Sequence, residues 1–296
     1  MNLGRAKLVL IIAFVGLNLF LGYHLFWPDF GRLTRVAITA EEMRITEVML
    51  KENNYSLAVP LVRSIQTIDF ITVSPAVGFQ NKIRDRLNEE GVLYIEQDDN
   101  LMVYYGEDEN VFIYPTGLIK VTYEPGYFIS DGLINQEQRE IRSKIELFLE
   151  NKALKPEGIV FDYLERVESG QVIIYYYQVN DNIPIYSGYL KVVIDFDKII
   201  EVEVFWLESL ERSPVREIEV IAATVALTNL VKEIGSSSEP QKIKQVDLGF
   251  FSHEYDAEKW EIPPVWRIIL EGPQIYYVNA FTGNLEQEII IPEQLP

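Results

Sequence analysis

Two histidines occur in the 296 residues, His24 and His253, and neither sits in a spacing that does chemistry. His253 lies in "SHEYDAEKW". A zinc-protease helix needs a second histidine four residues on, and position 257 is Ala257. "GSSSE", beginning at Gly235, lacks the closing glycine of a nucleophile elbow, and no glycine-rich phosphate loop is present. The absence of cysteine removes disulfides, thiolate metal sites and thiol nucleophiles together. Asp98, Asp99, Glu107, Asp108, Asp181 and Asp195 could in principle supply the carboxylate pair of a glycoside hydrolase. All six fall where a hairpin must turn, positions that favour Asp and Asn for backbone hydrogen bonding. Their spacing is not that of a calcium loop. These residues give no enzyme, no metal site and no cofactor.

A tyrosine run offers a different chemistry. "VIIYYYQV", residues 172–179, with Trp206, Trp260 and Trp266, reads either as two-sided strand core or as the lining of a groove for protein contact.

The elements that carry these residues are legible from periodicity. Helices are expected after Thr39, whose capping box with Glu42 precedes Ile45, Val48 and Met49; over Phe79 to Glu90, with Phe79, Ile83 and Leu87 on one face; and after Asn135. Asn135 with Gln138 resembles a capping box before Ile141, Ile145 and Phe148. A fourth helix is expected after Ser213–Pro214, before Ile218, Ile221 and Val225. Each is followed by short alternating runs separated by turn residues, which read as antiparallel meanders. The fold class is therefore α+β. It divides into helix-plus-meander units at 37–130, 131–210 and 211–292, the last two similar in the order of their elements.

Ahead of these units, Leu8 to Trp27 carries no formal charge over twenty residues. As a helix that length spans roughly 30 Å, a bilayer's hydrocarbon core. No small-x-small cleavage site follows it, so it reads as an uncleaved transmembrane helix, residues 8–27, behind a cytoplasmic tail, 1–7. Tyr23, Phe26 and Trp27 suit the membrane interface. Ile11, Val15, Asn18 and Gly22 fall along one helix face, where an amide seeks a hydrogen bond and glycine admits a second helix. That face is the expected contact with a transmembrane partner. The N-terminus is placed in the cytoplasm and the bulk of the chain outside, at the cell membrane. The net charge of −19 makes nucleic acid an unsuitable partner.

A short N-terminal segment, then "KLVLIIAFVGLNLFLGYHLF", then helix-plus-meander units, resembles the YycI (WalI) family; the nearest match is "IIAFVGLNLFL", residues 11–21. The closing "YYVNAFTGNL", residues 276–285, is similar to the last hairpin of PepSY-type modules. The YycI resemblance implies a single-span, extracytoplasmic, non-enzymatic protein of Gram-positive bacteria. It implies action with a related YycH-like partner, as a heterodimer, to restrain a WalK-like sensor histidine kinase that governs cell-wall homeostasis, chiefly through the transmembrane helices. The alternative is an external binding module for a peptide, protease or wall fragment, for which a deep aromatic-lined pocket is expected; a wall hydrolase using paired carboxylates stands third.

Overall fold

The computed structural model describes residues 38–64, 67–68, 70–96, 101–167, 170–212, 218–253, 257–271 and 274–290, with 14, 15 and 17 besides. In chain order, α1 (Ala40–Glu52) is followed by β1 (Tyr55–Leu57), β2 (Thr67–Ile68), β3 (Ile71–Pro75) and α2 (Val77–Glu89). A meander of β4 (Leu93–Glu96), β5 (Met102–Tyr105), β6 (Glu109–Ile113) and β7 (Ile119–Phe128) leads to α3 (Gln138–Asn151). Next come β8 (Ile159–Arg166), β9 (Gln171–Asn180), β10 (Ile183–Asp195), β11 (Lys198–Phe205), β12 (Leu207–Arg212) and β13 (Ile218–Glu219). After α4 (Ala223–Ile234) the chain closes with β14 (Gln241–Phe250), β15 (Trp260–Ile262), β16 (Pro264–Leu270), β17 (Gln274–Asn279) and β18 (Leu285–Ile290).

The architecture is mixed α+β and mostly sheet. One wing pairs β4-β5-β6-β7-β11-β10-β9-β8, antiparallel throughout. The other runs β1-β14-β16-β17-β18, in which β1 lies parallel to β14. The wings join where Ile185 of β10 lies parallel to Phe250 of β14, making a single 13-stranded sheet among the described residues. Small sheets β12-β3-β15 and β13-β2 lie beside it.

Each wing is covered by two helices. In the first, Ile83 and Leu87 of α2 and Ile141, Ile145 and Phe148 of α3 pack on Val111, Val121, Ile174, Val192 and Val202 of the strands. In the second, α4 residues Ala226, Leu227 and Leu230 bury against Val246, Ile268 and Val278. Leu50 of α1 joins that second core. The opening helix therefore serves the last meander, although sequence order places it at the head of the 37–130 unit.

Local signals explain most element boundaries, and three expectations change. The Thr39–Glu42 capping box forms: Thr39 N donates to Glu42 Oε2 at 2.7 Å, and Glu42 N to Thr39 Oγ1 at 3.2 Å. On α1 Thr46 and Leu50 are buried and Met43 and the expected Met49 partly so; Ile45 and Val48 face outward, because the helix docks on α4 through the neighbouring face. Asn135 does not cap α3. It closes a 3-10 turn, Leu133–Asn135, pinned by the bond from Leu133 N to Asp197 Oδ1, and α3 starts at Gln138. Ser213 and Pro214 lie outside the described residues; the fourth helix begins at Ala223, and the residues from Ile218 expected in it are not helical. The β-branched Ile218-Glu-Val-Ile run stays extended: Ile218–Glu219 pairs with β2, and Ile221 N donates to Ala280 O at 2.7 Å. Val225 consequently points to solvent.

Candidate functional site

The span residues expected to touch a partner or the membrane interface, Ile11, Asn18, Gly22, Tyr23, Phe26 and Trp27, lie outside the described residues, as do Asp98 and Asp99. Val15 is helical and exposed. Among the described residues no helix is long and apolar enough to cross a membrane. Glu107, Asp108, Asp181 and Asp195 sit at hairpin turns, and among the described residues no cluster of His, Asp and Glu is arranged to hold a metal.

The tyrosine run divides between its two faces. Successive side chains of a strand point to opposite faces. On β9, Val172, Ile174 and Tyr176 enter the first wing's core, whereas Tyr175 and Tyr177 are half-buried on the other face. There they meet Tyr163 of β8 and Tyr186 and Tyr189 of β10, and across a gap Tyr277 of β17 and Phe251. The result is a cleft of about 500 Å³ between the wings, rimmed by Ser187, Ser252, His253 and Gln287. Trp206, Trp260 and Trp266 are not part of it; each is buried in a core, Trp266 donating its indole N–H to Ile221 O at 2.9 Å.

The walls are built of ring pairs. Tyr163 stacks on Tyr175 at 4.5 Å between centroids, and Phe251 on Tyr277 at 4.3 Å, with Tyr186 bridging Tyr177 and Tyr277. His253 meets Phe251 edge-on. Two glycines make room by having no Cβ. A Cβ on Gly249 would stand 2.6 Å from the Tyr186 ring, and one on Gly188 would overlap the Gln178 amide. That amide bonds both backbone groups of Leu207, accepting from its N–H at 3.2 Å and donating to its oxygen at 2.6 Å. Gly188 belongs to an irregularity in the β9–β10 register, between Ile185 and Tyr189. Beside it, Ser187 Oγ accepts from Ser252 N and donates to Ser252 O, which fixes the rim that carries His253.

Beneath the cleft a buried ion pair ties one wing to the other. Arg267 of β16, 1 % exposed, reaches both carboxylate oxygens of Asp162 on β8 at 2.6 and 2.7 Å. Its guanidinium lies 4.8 Å from the Tyr186 ring centre and 5.8 Å from that of Tyr177. Burial pushes the Asp162 carboxyl above its usual range, against the pull of Arg267. Burial likewise raises the hydroxyls of Tyr163, Tyr177 and Tyr186, with Tyr175 and Tyr277 at about 12, so all five remain protonated donors at neutral pH. Lys191 at the edge is held by Glu203 at 3.2 Å and Glu201 at 3.5 Å. Sequence reasoning did not single out Asp162 and Arg267. The available signal was a lone arginine inside the apolar strand "PVWRIIL", since a charge there must be paired.

Among the described residues the cleft has neither a positioned nucleophile nor a base aimed at one. The closing hairpin beside it takes the shape expected from its Asn and Thr-Gly. Asn279 Oδ1 accepts from Phe281 N and Thr282 N, and Gly283 turns the chain with φ +76°.

Residues 35–281 match the family described as YycI protein. No curated protein matches the chain. Among solved structures it is similar to an uncharacterized protein from Eubacterium rectale, at 10% identity and a TM-score of 0.46, covering 79% of this chain and 89% of that one. It is also similar to YycH from Bacillus subtilis, at 16% identity and a TM-score of 0.45, covering 72% of this chain and 51% of that one.

Proposed function

The chain belongs to the YycI family, and from that premise we propose that it is a non-enzymatic accessory regulator of the WalK/WalR (YycG/YycF) two-component system. The observation that carries this reading is the family match over residues 35–281. In the proposal the chain is anchored by residues 8–27 at the cell membrane, N-terminus inside and the described domain outside, and restrains a WalK-like kinase together with a YycH-like partner. Support for the anchor is the uncharged stretch Leu8 to Trp27 and the missing cleavage site behind it. The Ile11, Val15, Asn18, Gly22 face carries the contact, and the external wings set concentration and orientation of the spans.

The test is output of the kinase pathway in cells carrying Asn18→Leu or Gly22→Leu. Loss of an intramembrane hydrogen bond costs about 0.6–2 kcal/mol, roughly three- to thirty-fold in association. De-repression by these variants, with Val9→Leu and Leu17→Ala silent, agrees with the assigned face. If every span variant regulates normally and deletions in the external domain do not, control lies outside the membrane. Mass spectrometry of the membrane fraction checks the anchor, since a mature N-terminus beyond Trp27 contradicts it. A second reading, an external module that captures a ligand, is favoured by one observation, the tyrosine-lined cleft between the wings.

A further inference from the structure

We propose that the cleft between the wings binds a neutral saccharide, two or three rings long, with sugar faces laid on the tyrosine rings and sugar hydroxyls bonded to the rim. This rests on the ligand-capture reading and not on kinase regulation.

The class of ligand follows from what the lining offers and what it withholds. A volume of about 500 Å³ lies in the range of small-molecule sites; Phe251 and Tyr277 are buried behind its lining, and the rings open to a ligand are the half-buried Tyr163, Tyr175 and Tyr177. Flat aromatic walls favour a ligand with an apolar face. Tyr163, Tyr175 and Tyr177, which carry hydroxyls, with Ser252 and Gln287 at the rim, favour one with hydroxyls at its edge. A pyranose presents both.

Charged ligands fit poorly. Every lysine, aspartate and glutamate lining the cleft is already paired: Asp162 with Arg267, and Lys191 with Glu203. A cation that sought the tyrosine faces would find the Arg267 guanidinium stacked on Tyr177 and Tyr186, a positive charge under the floor. An anion would find Lys191 held by two glutamates on a chain of net charge −19. A neutral ligand meets neither obstacle.

The test uses the full chain in phospholipid nanodiscs, free of sugar-headed detergents. Its probes are an array of neutral di- and trisaccharides including cellobiose and maltose, tetramethylammonium, and short peptides containing Phe or Tyr. Saturable binding of at least one neutral saccharide is expected, with tyrosine fluorescence reporting occupancy. Tyr175→Ala should weaken it about 2- to 12-fold, the worth of one aromatic contact, and Tyr175→Phe by less. Gln287→Ala, on the half-buried rim, tests the site where a ring deletion disturbs folding, and Tyr94→Ala on β4, at the other end of the first wing, is the control. No binding across the saccharide array overturns the proposal. So does preference for tetramethylammonium or a peptide, or saccharide binding indifferent to both Tyr175→Ala and Gln287→Ala. Because the readout is binding and not pathway output, failure here leaves the kinase reading standing, and failure there leaves this one.

Discussion

The two wings share a plan, two helices over an antiparallel sheet, but differ in where the helices come from. In the first wing, α2 and α3 directly flank the strands they cover. In the second, α4 is local to its meander while α1 arrives from the far end of the chain, and β1 adds a parallel strand to β14. The first wing can assemble from neighbours in sequence; the second cannot be completed until residues 40–57 return to it. Their polar seams differ in the same way. Glu109 of β6 joins Arg86 of α2 at 2.8 Å and Lys152 just past α3 at 3.5 Å, within one wing. Asp162 and Arg267 are 105 residues apart and join two wings. The chain places this buried charge pair at the seam where the two wings of one sheet meet.

That contrast can be broken most severely at the seam between the wings. Asp162→Asn leaves Arg267 buried without its counter-charge and should cost about 3–5 kcal/mol in urea unfolding of the whole chain. An Asp162→Leu, Arg267→Met double variant should recover most of that loss, because two apolar residues leave no buried charge. A double variant as unstable as the single one would mean that the packing, and not the charge, holds the wings. Next in size, Leu50→Ala opens a cavity in the second core and should cost about 2–5 kcal/mol. Amide hydrogen exchange should then quicken in β14, β16 and β17 before β5, β6 and β7. Equal loss of protection in both wings would show that they unfold as one unit and blunt the comparison. Gly188→Ala drives a methyl into Gln178 and breaks its clamp on Leu207, at about 1–3 kcal/mol. The smallest effect is acid loosening of α1. The backbone bond from Thr39 holds the Glu42 carboxyl below its ordinary 4.5. The stabilisation is present above that value and fades as pH falls through the lower folded one. Circular dichroism of Glu42→Gln, which removes the titrating group, should show a weaker acid dependence than the parent chain.

Much of the fold could be read locally. The short alternating runs expected after each helix form strands, since a period of two is imposed by the pleat itself. Helix starts were less secure. Thr39 caps as expected, but Asn135 carries the right residue type without starting a helix, because Asp197 claims the turn at Leu133, and the run from Ile218, expected to be helical, pairs with β2 instead. A cap is a local preference of about 1 kcal/mol, and a tertiary partner outbids it. Of the candidate site, "VIIYYYQV" was visible and ambiguous. Tyr163, Tyr186 and Tyr277 gave no hint that they would converge, being scattered over three strands that read as ordinary core.

The sequence by itself determined that thiol chemistry is missing, since the chain has no cysteine, and it determined the α+β class, since helix and strand periods are properties of short stretches. Only the tertiary structure decided that α1 covers the last meander, that one face of β9 is core and the other a cleft wall, and that Arg267 finds Asp162. Those outcomes depend on which sheet edges meet. An edge pairs through backbone groups that every residue carries, so its partner is chosen by the packing of whole faces and leaves little trace in the residues of either strand.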